Sequence, residues 1–475
     1  MLFNSFNFLV FFPLVTLIFY ILPHKIRWAH LLVASCVFYC FFIPMYIFIL
    51  LVTILIDYFA GIRIEKSSGR QKSTWLLISI LSTCLVLFVF KYYNFFISNI
   101  DQAARLFHLS YAIPLFHIIL PIGLSFHTFQ SLSYVIEVYR GQQKAEKDFG
   151  IYSLYVMFYP QLVAGPIERP QNLLHQFYEK HDFNYSDVTI GLKRMAWGLF
   201  KKIVIADRLS IYVSAIYSNH DKHNGTSLTV ATLFFAFQIY CDFSGYSDIA
   251  IGAARTMGFK LMTNFNYPFF SRSITEFWRR WHISLSTWFN DYLFTPLMIS
   301  KRNWGRYAVV FAVLITFLVS GLWHGANWTY IVWGLLNGIA LAYEFITKKL
   351  RKKLSQLIPA AIYQPVSILL TFLYACFTWV FFRSPDLKTA VDILHKILFV
   401  HGAIFIGDNK NMIYSVLFIL LLISIEVIRE YKLFNGFSLF ENTNMYVRRL
   451  SYISIVIIIL MFGVFDNSQF IYFQF

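Results

Sequence analysis

The chain has 475 residues, of which 58% are hydrophobic and 13% charged, and its formal net charge is +16 at pH 7. A soluble domain carries roughly 25% charged residues, so this composition argues against a soluble globular enzyme and excludes a disordered or fibrous chain. The apolar residues form continuous runs near the length of about 20 that crosses a bilayer as a helix, whereas a transmembrane barrel would alternate apolar and polar residues. The excess of Lys and Arg is typical of cytoplasmic loops and does not require a nucleic-acid partner.

The apolar runs predict an all-α, polytopic integral membrane protein with about eleven or twelve transmembrane helices. The candidate spans are 4–22, 28–43, 45–62, 75–97, 113–138, 203–218, 228–250, 307–323, 327–347, 363–382, 411–430 and 450–466. Basic clusters fall at every second loop, beginning with Lys25 and Arg27, which predicts an outer N-terminus. The first run has no preceding basic residue and no small-residue cleavage site, so we expect a span and not a signal peptide. The span at 203–218 is the weakest because it contains Asp207 and Arg208.

No linker, low-complexity tract or repeat divides the chain, so we expect a single membrane domain over residues 1–475. The five cysteines are scattered and form no CxxC pair, so neither a metal site nor a disulfide framework is indicated. A P-loop, a dinucleotide fingerprint, an HExxH motif and a GxSxG motif are all missing from the sequence. We therefore expect no bound cofactor and no catalytic metal.

The stretch 150–170 is an apolar run broken by three prolines and a glycine, which predicts a re-entrant element at membrane depth that lines a cavity. Gln130 and Gln161 place amides among apolar residues. These amides could form hydrogen bonds with a substrate or hold helices together.

His324 lies between two strongly apolar spans, in the sequence Leu322-Trp323-His324-Gly325. A histidine, whose ordinary pKa is about 6.5, can accept a proton near neutral pH, and ionisable groups at membrane depth are functional candidates. A structural role is the alternative, because the spacing of Gly321 with Gly325 and of Gly334 with Gly338 also suits close packing of two helices.

The segment 275–293 reads as one amphipathic helix on the cytoplasmic side, with Trp278, Trp281 and His282 on its apolar face. His282 should thus point into the protein, and on this pattern alone a structural histidine is favoured. In the span upstream of this segment, Gln238, Asp242 and Tyr246 follow the i, i+4, i+8 spacing of a buried polar ridge. Asp242 could orient a histidine or hold an arginine.

Several motifs follow one another in a fixed order along the chain. They are Leu120-Pro121-Ile122-Gly123, Pro160-Gln161-Leu162-Val163-Ala164-Gly165-Pro166, Gly198-Leu199-Phe200-Lys201-Lys202, Asp242-Phe243-Ser244-Gly245-Tyr246, Glu276-Phe277-Trp278-Arg279-Arg280-Trp281-His282, Leu322-Trp323-His324-Gly325 and Phe470-Ile471-Tyr472-Phe473-Gln474-Phe475. In this order they resemble the membrane-bound O-acyltransferases, specifically the bacterial branch that includes alginate (polymannuronate) O-acetylase. The resemblance implies spans arranged around a central funnel or tunnel, with His324 as the principal catalytic histidine and His282 as the second. Asn337 departs from the pattern, since relatives often have His there.

This resemblance implies transfer of an acyl group, by default acetyl, from a cytoplasmic thioester donor to a hydroxyl on the outer side. The donor would be acetyl-CoA or an acyl carrier protein, and the acceptor an exported, alginate-like polysaccharide or a relay protein, at the bacterial inner membrane. The candidate donor-binding residues are Arg279, Arg280, Arg272, Lys201 and Lys202, which would form a basic face. The candidate substrate or tunnel residues are Trp323, Asn327, Trp278, Trp281, Asn290, Asp242, Gln130 and Gln161.

In this hypothesis neutral His324 removes the proton of the acceptor hydroxyl, and His282 or a nearby Trp or Asn donor stabilises the oxyanion. Two alternatives from other classes fit the buried polar residues equally. The first is a transporter or flippase of a lipid-linked sugar, which would more often show a repeat between the two halves of the chain. The second is a membrane scaffold for a polysaccharide-exporting machine, which would tolerate loss of His324.

Overall fold

The computed structural model describes residues 1–109, 114–116, 120–433, 442 and 444–465. Within these residues the regular structure is entirely helical, which confirms the all-α prediction. In the first half, the α-helices are α1 (Phe6–Ile21), α2 (His24–Cys40), α3 (Tyr46–Lys66), α4 (Gly69–Leu87), α5 (Tyr93–Leu106), α6 (Leu124–Arg140), α7 (Phe149–Met157), α8 (Pro170–Leu173), α9 (Tyr185–Leu199), α10 (Asp207–Tyr217) and α11 (Gly225–Thr256).

The second half continues with α12 (Ile274–Arg280), α13 (Ile283–Phe289), α14 (Thr295–Ser300), α15 (Arg306–His324), α16 (Trp328–Ile346), α17 (Lys348–Leu357), α18 (Ala360–Arg383), α19 (Leu387–Phe399), α20 (Asn409–Glu430) and α21 (Met445–Phe462). Among the described residues, π-helical segments interrupt the α-helical pattern at Phe88–Tyr92, Phe200–Ala206 and Asn290–Phe294. π-Helical turns recur at functional sites, and the second and third of these carry candidate site residues.

Eight helical segments of the described chain are long and apolar enough to cross a membrane, which confirms the polytopic fold. They are Pro44–Lys66, Gly69–Leu106, Gly225–Thr256, Arg306–His324, Trp328–Ile346, Ala360–Arg383, Asn409–Glu430 and Met445–Phe462. The predicted spans at 4–22 and 28–43 correspond to helices of 16 and 17 residues. The predicted span at 203–218 is divided between a π-helix and α10. The predicted span 113–138 includes residues outside the described ones, so the total of eleven or twelve crossings stays a prediction. The motif at 470–475 also lies outside the described residues.

The contacts within the chain divide it into two compact units. One comprises Met1–Met195 with Ser247–Met262, and the other comprises Ala196–Tyr246 with Thr263–Phe475. The predicted catalytic histidines and every candidate site residue except Gln130 and Gln161 belong to the second unit.

In the first unit, the broken stretch 150–170 is buried except at Gly150 and Arg169, which are half-buried. Helix α7 stops at Met157, and the chain then turns through residues 158–169 before α8. Because a helix end leaves backbone carbonyls without partners, the carbonyl oxygen of Tyr155 needs donors from elsewhere. It receives them from the side-chain amides of Gln130, at 2.6 Å, and Gln161, at 2.9 Å. The structure thus favours the alternative in which these two glutamines hold helices together.

In the second unit, glycines bring α15 and α16 into close contact. A Cβ atom at Gly321 would lie 2.3 Å from the carbonyl oxygen of Tyr330, and one at Gly334 would lie 2.2 Å from that of Phe317. Neither distance is compatible with a side chain, so only glycine permits this approach. The close packing expected from the glycine spacing is confirmed, and it fixes the end of α15 that carries His324.

Candidate functional site

His324 is the last residue of α15 and is 5% exposed. Its ring lies in a pocket of aromatic side chains, which we call the aromatic pocket. Ring centroids lie 4.8 Å away for Trp323, 5.0 Å for Trp333 and 5.3 Å for Phe382, all at steep angles. Edge-to-face contacts of this kind hold a ring in a defined orientation. The imidazole is thus fixed in an apolar environment that excludes bulk water.

Trp333 joins this pocket to helix α12. Its ring is perpendicular to that of His324, at 86°, and lies 5.7 Å from the ring of Trp278 on α12. The indole N–H of Trp278 donates to Oδ1 of Asn337 at 3.3 Å, and the Asn337 amide donates to the backbone carbonyl of Trp333. Asn337 therefore locks the two tryptophans to each other.

The indole nitrogen of Trp333 differs from that of Trp278. The residue is 3% exposed, and within the described chain its Nε1–H has no hydrogen-bond acceptor. Leaving a buried donor without an acceptor costs about 1–3 kcal/mol. The sequence did not single out Trp333, because a tryptophan in an apolar helix is most often a packing residue. Its one signal is its position on the helix that follows His324.

The segment 275–293 is not the single amphipathic helix that its periodicity predicts. Helix α12 ends at Arg280, Trp281 is extended, and α13 begins after His282, whose φ of 44° lies in the left-handed region. A residue with a β-carbon rarely adopts this conformation, which costs on the order of 1–3 kcal/mol and recurs at functional sites. The prediction of a continuous helical face was wrong, whereas the prediction that His282 points into the protein is confirmed, since it is fully buried.

Asn264 stabilises this strained turn. Its backbone carbonyl accepts the N–H of Ile283 at 2.9 Å, and its side-chain Oδ1 faces three groups. These are Nδ1 of His282 at 3.1 Å, the backbone N–H of Ser284 at 3.2 Å and the Ser284 hydroxyl at 2.9 Å. The backbone N–H can only donate, so the atom at the centre must be the amide oxygen, and we assign the proton of His282 to Nδ1. Nε2 then carries the lone pair.

His282 is also neutral at physiological pH. Burial lowers the pKa of its imidazole to about 3, because a charged ring would lose its hydration in the protein interior. The ring of Phe243 packs edge-on against it, with 4.4 Å between centroids at 89°. A neutral, oriented histidine can accept a hydrogen bond or a proton at Nε2, and it cannot act as a permanent cation.

A cavity of about 180 Å³ lies beside Trp278. Its lining comes from α12, α13, the π-helix at Asn290–Phe294 and α15, and five of the ten lining residues are Leu, Val or Phe. Its polar groups come from Ser286, Asn290, Thr316 and Ser320. Ser320 precedes His324 by one helical turn on α15. Of the predicted tunnel residues, Trp278 and Asn290 line this cavity.

Asp242 holds a lysine, not a histidine or an arginine. The ammonium of Lys202 lies 2.7 Å from the Asp242 carboxylate and 2.8 Å from that of Asp207, and all three residues are at most 4% exposed. Lys201 donates to the Ser244 hydroxyl at 2.9 Å and is also buried. Two buried lysines cannot contribute to a basic surface. The prediction that Lys201 and Lys202 belong to the donor-binding basic face was therefore wrong.

The three predicted donor-binding arginines are nearer the surface, and they differ in how many acidic side chains neutralise them. Arg280 lies between Glu276 and Glu430, at 2.7 Å from each. Arg272 pairs more loosely with Glu276, at 3.4 Å. Arg279 is exposed, and in the described part of the chain it has no ion-pair partner. Arg279 is therefore the arginine whose charge is most accessible to an anion.

The remaining predicted residues have structural contacts. The Asn327 side chain caps α16 by accepting from the Thr329 N–H, and it donates to the carbonyl of Pro385. Trp281 is buried between the rings of Phe277 and Trp379, at 5.4 and 5.2 Å. Helix α18 thus touches the His282 segment through Trp379 and the aromatic pocket through Phe382.

The model of the membrane-bound O-acyltransferase (MBOAT) family matches residues 148–384. Among similar proteins, a probable alginate O-acetylase AlgI of Azotobacter vinelandii is 36% identical over 435 residues, covering 91% of this chain and 85% of that protein. The peptidoglycan O-acetyltransferase of Helicobacter pylori is 33% identical, covering 78% and 74%. The teichoic acid D-alanyltransferase of Bacillus subtilis is 28% identical, covering 55% and 68%. The residues that the family model matches include both histidines.

Proposed function

Because this chain belongs to the membrane-bound O-acyltransferase family, we propose that it transfers an acetyl group from a cytoplasmic thioester to a hydroxyl of an exported polysaccharide. The observation that carries the proposal is the placement of a buried histidine in an aromatic pocket that adjoins, through Trp333 and Trp278, an apolar cavity. The names of the similar proteins describe acyl transfer to envelope or exported polymers, which favours this reaction over transport or a scaffold role.

His324 is proposed as the general base. Its imidazole takes the proton of the acceptor hydroxyl as the oxygen attacks the thioester carbonyl carbon. When the tetrahedral intermediate collapses, the C–S bond breaks and the leaving thiolate takes the proton back from the imidazolium. A positioned base supplies typically 10²–10⁴-fold in rate, and the fixed ring adds a benefit of orientation.

Trp333 is proposed as the donor that stabilises the oxyanion. Its indole lies 5.0 Å from the ring of His324, and its N–H lacks an acceptor in the described chain. A substrate oxygen would supply that acceptor, and the hydrogen bond would strengthen as negative charge develops. His282, being neutral with its lone pair on Nε2, is proposed to hold a donor group of the substrate or enzyme in place and not to donate to the oxyanion.

The cavity beside Trp278 is proposed to receive the acyl thioester. Its volume of about 180 Å³ is below the 300–1,000 Å³ of pockets for drug-sized ligands. This size suits an acetyl group with the end of its thioester arm better than a long acyl chain. Arg279, exposed beside Trp278, would attract the phosphates of coenzyme A or of a carrier protein.

The acceptor and location are proposed from the similar proteins. An alginate-like or other envelope polysaccharide would be esterified on the outer face of the bacterial inner membrane, either directly or through a relay protein. The basic loops of the sequence support a cytoplasmic approach of the donor.

The test is the ester content of the exported polysaccharide in cells that carry wild-type protein, His324→Ala or His395→Ala at matched membrane levels. His395 is exposed on α19 and serves as the control histidine. We expect His324→Ala to abolish esters while polymer export continues and His395→Ala to retain them. Loss of export with His324→Ala would favour the transporter hypothesis, and unchanged esters would refute the assigned role of His324.

A further inference from the structure

Helix α17 is the most basic element of the described chain. Five of its ten residues are cationic and none is acidic: Lys348, Lys349, Arg351, Lys352 and Lys353. All of its residues except Arg351 are exposed. Nothing in the acyl-transfer mechanism uses this helix.

The opposite side of α17 is an exposed apolar row. Leu350, Leu354 and Leu357 are 57%, 41% and 69% exposed. At 100° per residue they fall within about 60° of one another, and the lysines lie outside that arc. A helix with a narrow apolar row and flanking cations is the type that lies in the plane of a membrane interface.

The neighbouring elements place α17 at such an interface. Helix α16, a candidate span, ends at Ile346, and α17 begins two residues later. Helix α18, the next candidate span, begins at Ala360, three residues after α17 ends. Because the links on both sides are this short, α17 stays next to the ends of the two candidate spans, where the lipid headgroups are expected.

One residue of α17 is linked, through α16, to helix α12. Arg351 forms an ion pair with Glu344 of α16 at 3.1 Å. The same carboxylate accepts the backbone N–H groups of Ile274 and Thr275, at 2.8 and 2.9 Å, in the first turn of α12. Glu344 therefore connects α17 to the helix that carries Trp278, the wall of the cavity.

We propose that α17 is a binding surface for anionic phospholipids, with its leucines among the acyl chains and its lysines on the lipid phosphates. Charge complementarity favours this occupant, since each Lys or Arg near an anionic leaflet contributes roughly fivefold to binding (about 1 kcal/mol). An acidic protein would match the cations but would leave the leucine row in water. The proposal does not depend on the acyl-transfer function.

The test measures amide hydrogen exchange in α17 with the full-length protein in lipid nanodiscs. Discs of phosphatidylcholine alone are compared with discs that also contain phosphatidylglycerol. We expect exchange in α17 to slow at least roughly tenfold in the anionic discs, and high salt to reduce this protection.

Matched double variants distinguish binding by this helix from a non-specific effect of the protein's positive charge. Lys349→Gln with Lys353→Gln removes two cations beside the leucine row and should weaken binding to anionic lipid roughly 25-fold, which is enough to abolish a tenfold protection from exchange. Lys66→Gln with Lys144→Gln removes two exposed cations elsewhere and should leave the effect intact. Equal exchange of wild-type α17 in both discs would overturn the proposal. Protection that appears only when an acidic acyl carrier protein is added would overturn it in favour of protein docking.

Discussion

Replacing Trp333 by Phe removes one buried N–H beside His324 and retains an aromatic ring. The ring contacts with His324 at 5.0 Å and with Phe382 at 5.3 Å are largely preserved. Because the N–H has no acceptor in the described chain, its removal loses no hydrogen bond of the protein itself. A buried N–H without an acceptor destabilises the protein by about 1–3 kcal/mol. Removing this N–H therefore offsets part of the packing energy that the smaller ring loses. We therefore expect the free energy of unfolding to change by less than about 1 kcal/mol.

The expected effect on the reaction is much larger. Removing one donor to a developing oxyanion typically costs 10²–10³-fold in turnover, or about 2.7–4 kcal/mol of transition-state stabilisation. Trp333→Phe should therefore lower the rate of ester formation roughly a hundredfold or more, with little change in the donor concentration that gives half-maximal rate. The combination of a large loss in turnover with unchanged stability is specific to a role in the transition state.

The assay is the initial rate of incorporation of labelled acetyl groups into exported polysaccharide, normalised to protein in the membrane. Thermal unfolding of the purified protein is measured in parallel. Trp379→Phe is the matched control, because Trp379 is equally buried, at 3%, but packs against Trp281 and not against His324. If Trp333→Phe transfers acetyl groups at the wild-type rate, the oxyanion role is refuted. A fall in rate that merely parallels lost stability would make Trp333 a packing residue.

Three further outcomes follow from the site. Asn264→Ala should lower the stability of the protein by about 1–3 kcal/mol, because it leaves the His282 turn without its central acceptor. A normal melting temperature would contradict this role of Asn264. Arg279→Gln should raise severalfold the concentration of acyl donor needed for half-maximal rate. Arg280→Gln removes an arginine that two carboxylates hold, so it should act mainly on stability. Equal kinetic effects of the two variants would refute a donor-binding role that is specific to Arg279. The pKa of His282 is about 3 in the folded protein against about 6.5 in the unfolded chain. The unfolded state therefore binds more protons between these values, and the stability that His282 contributes falls as pH drops from 6.5 toward 3. A His282→Gln variant should show a shallower loss of stability over this range, as measured by thermal unfolding.

The membrane architecture could be predicted from the sequence because it follows from local composition. Eight of the predicted spans coincide with long apolar helices, and the glycines at positions 321 and 334 correctly indicated close packing. For short helices such as Phe6–Ile21, composition alone does not decide whether the helix crosses the membrane. Hydropathy identifies apolar segments, but whether a 16-residue helix crosses the membrane depends on its tilt and on its neighbours.

The errors concern residues whose conformation depends on distant partners. The helix breaks at Trp281–His282 although neither residue is Pro or Gly. The turn there is stabilised by Asn264, 18 residues upstream, so the local sequence does not indicate the break. In the same way, Lys202 appears in the sequence as part of a basic cluster, whereas its charge is balanced by Asp242, forty residues downstream. A periodicity or a charge count has no information about such pairs.

The same long-range pairing explains why Trp333 is significant in the structure although the sequence gives no reason to select it. Around the candidate site, Asn337 satisfies the indole of Trp278, Asn264 satisfies the polar groups near His282, and two carboxylates balance Lys202. Buried polar groups in proteins are almost always paired in this way. Against this background, the buried indole N–H of Trp333, which has no acceptor in the described chain and belongs to a ring packed on His324, is a group to which a substrate oxygen could bind.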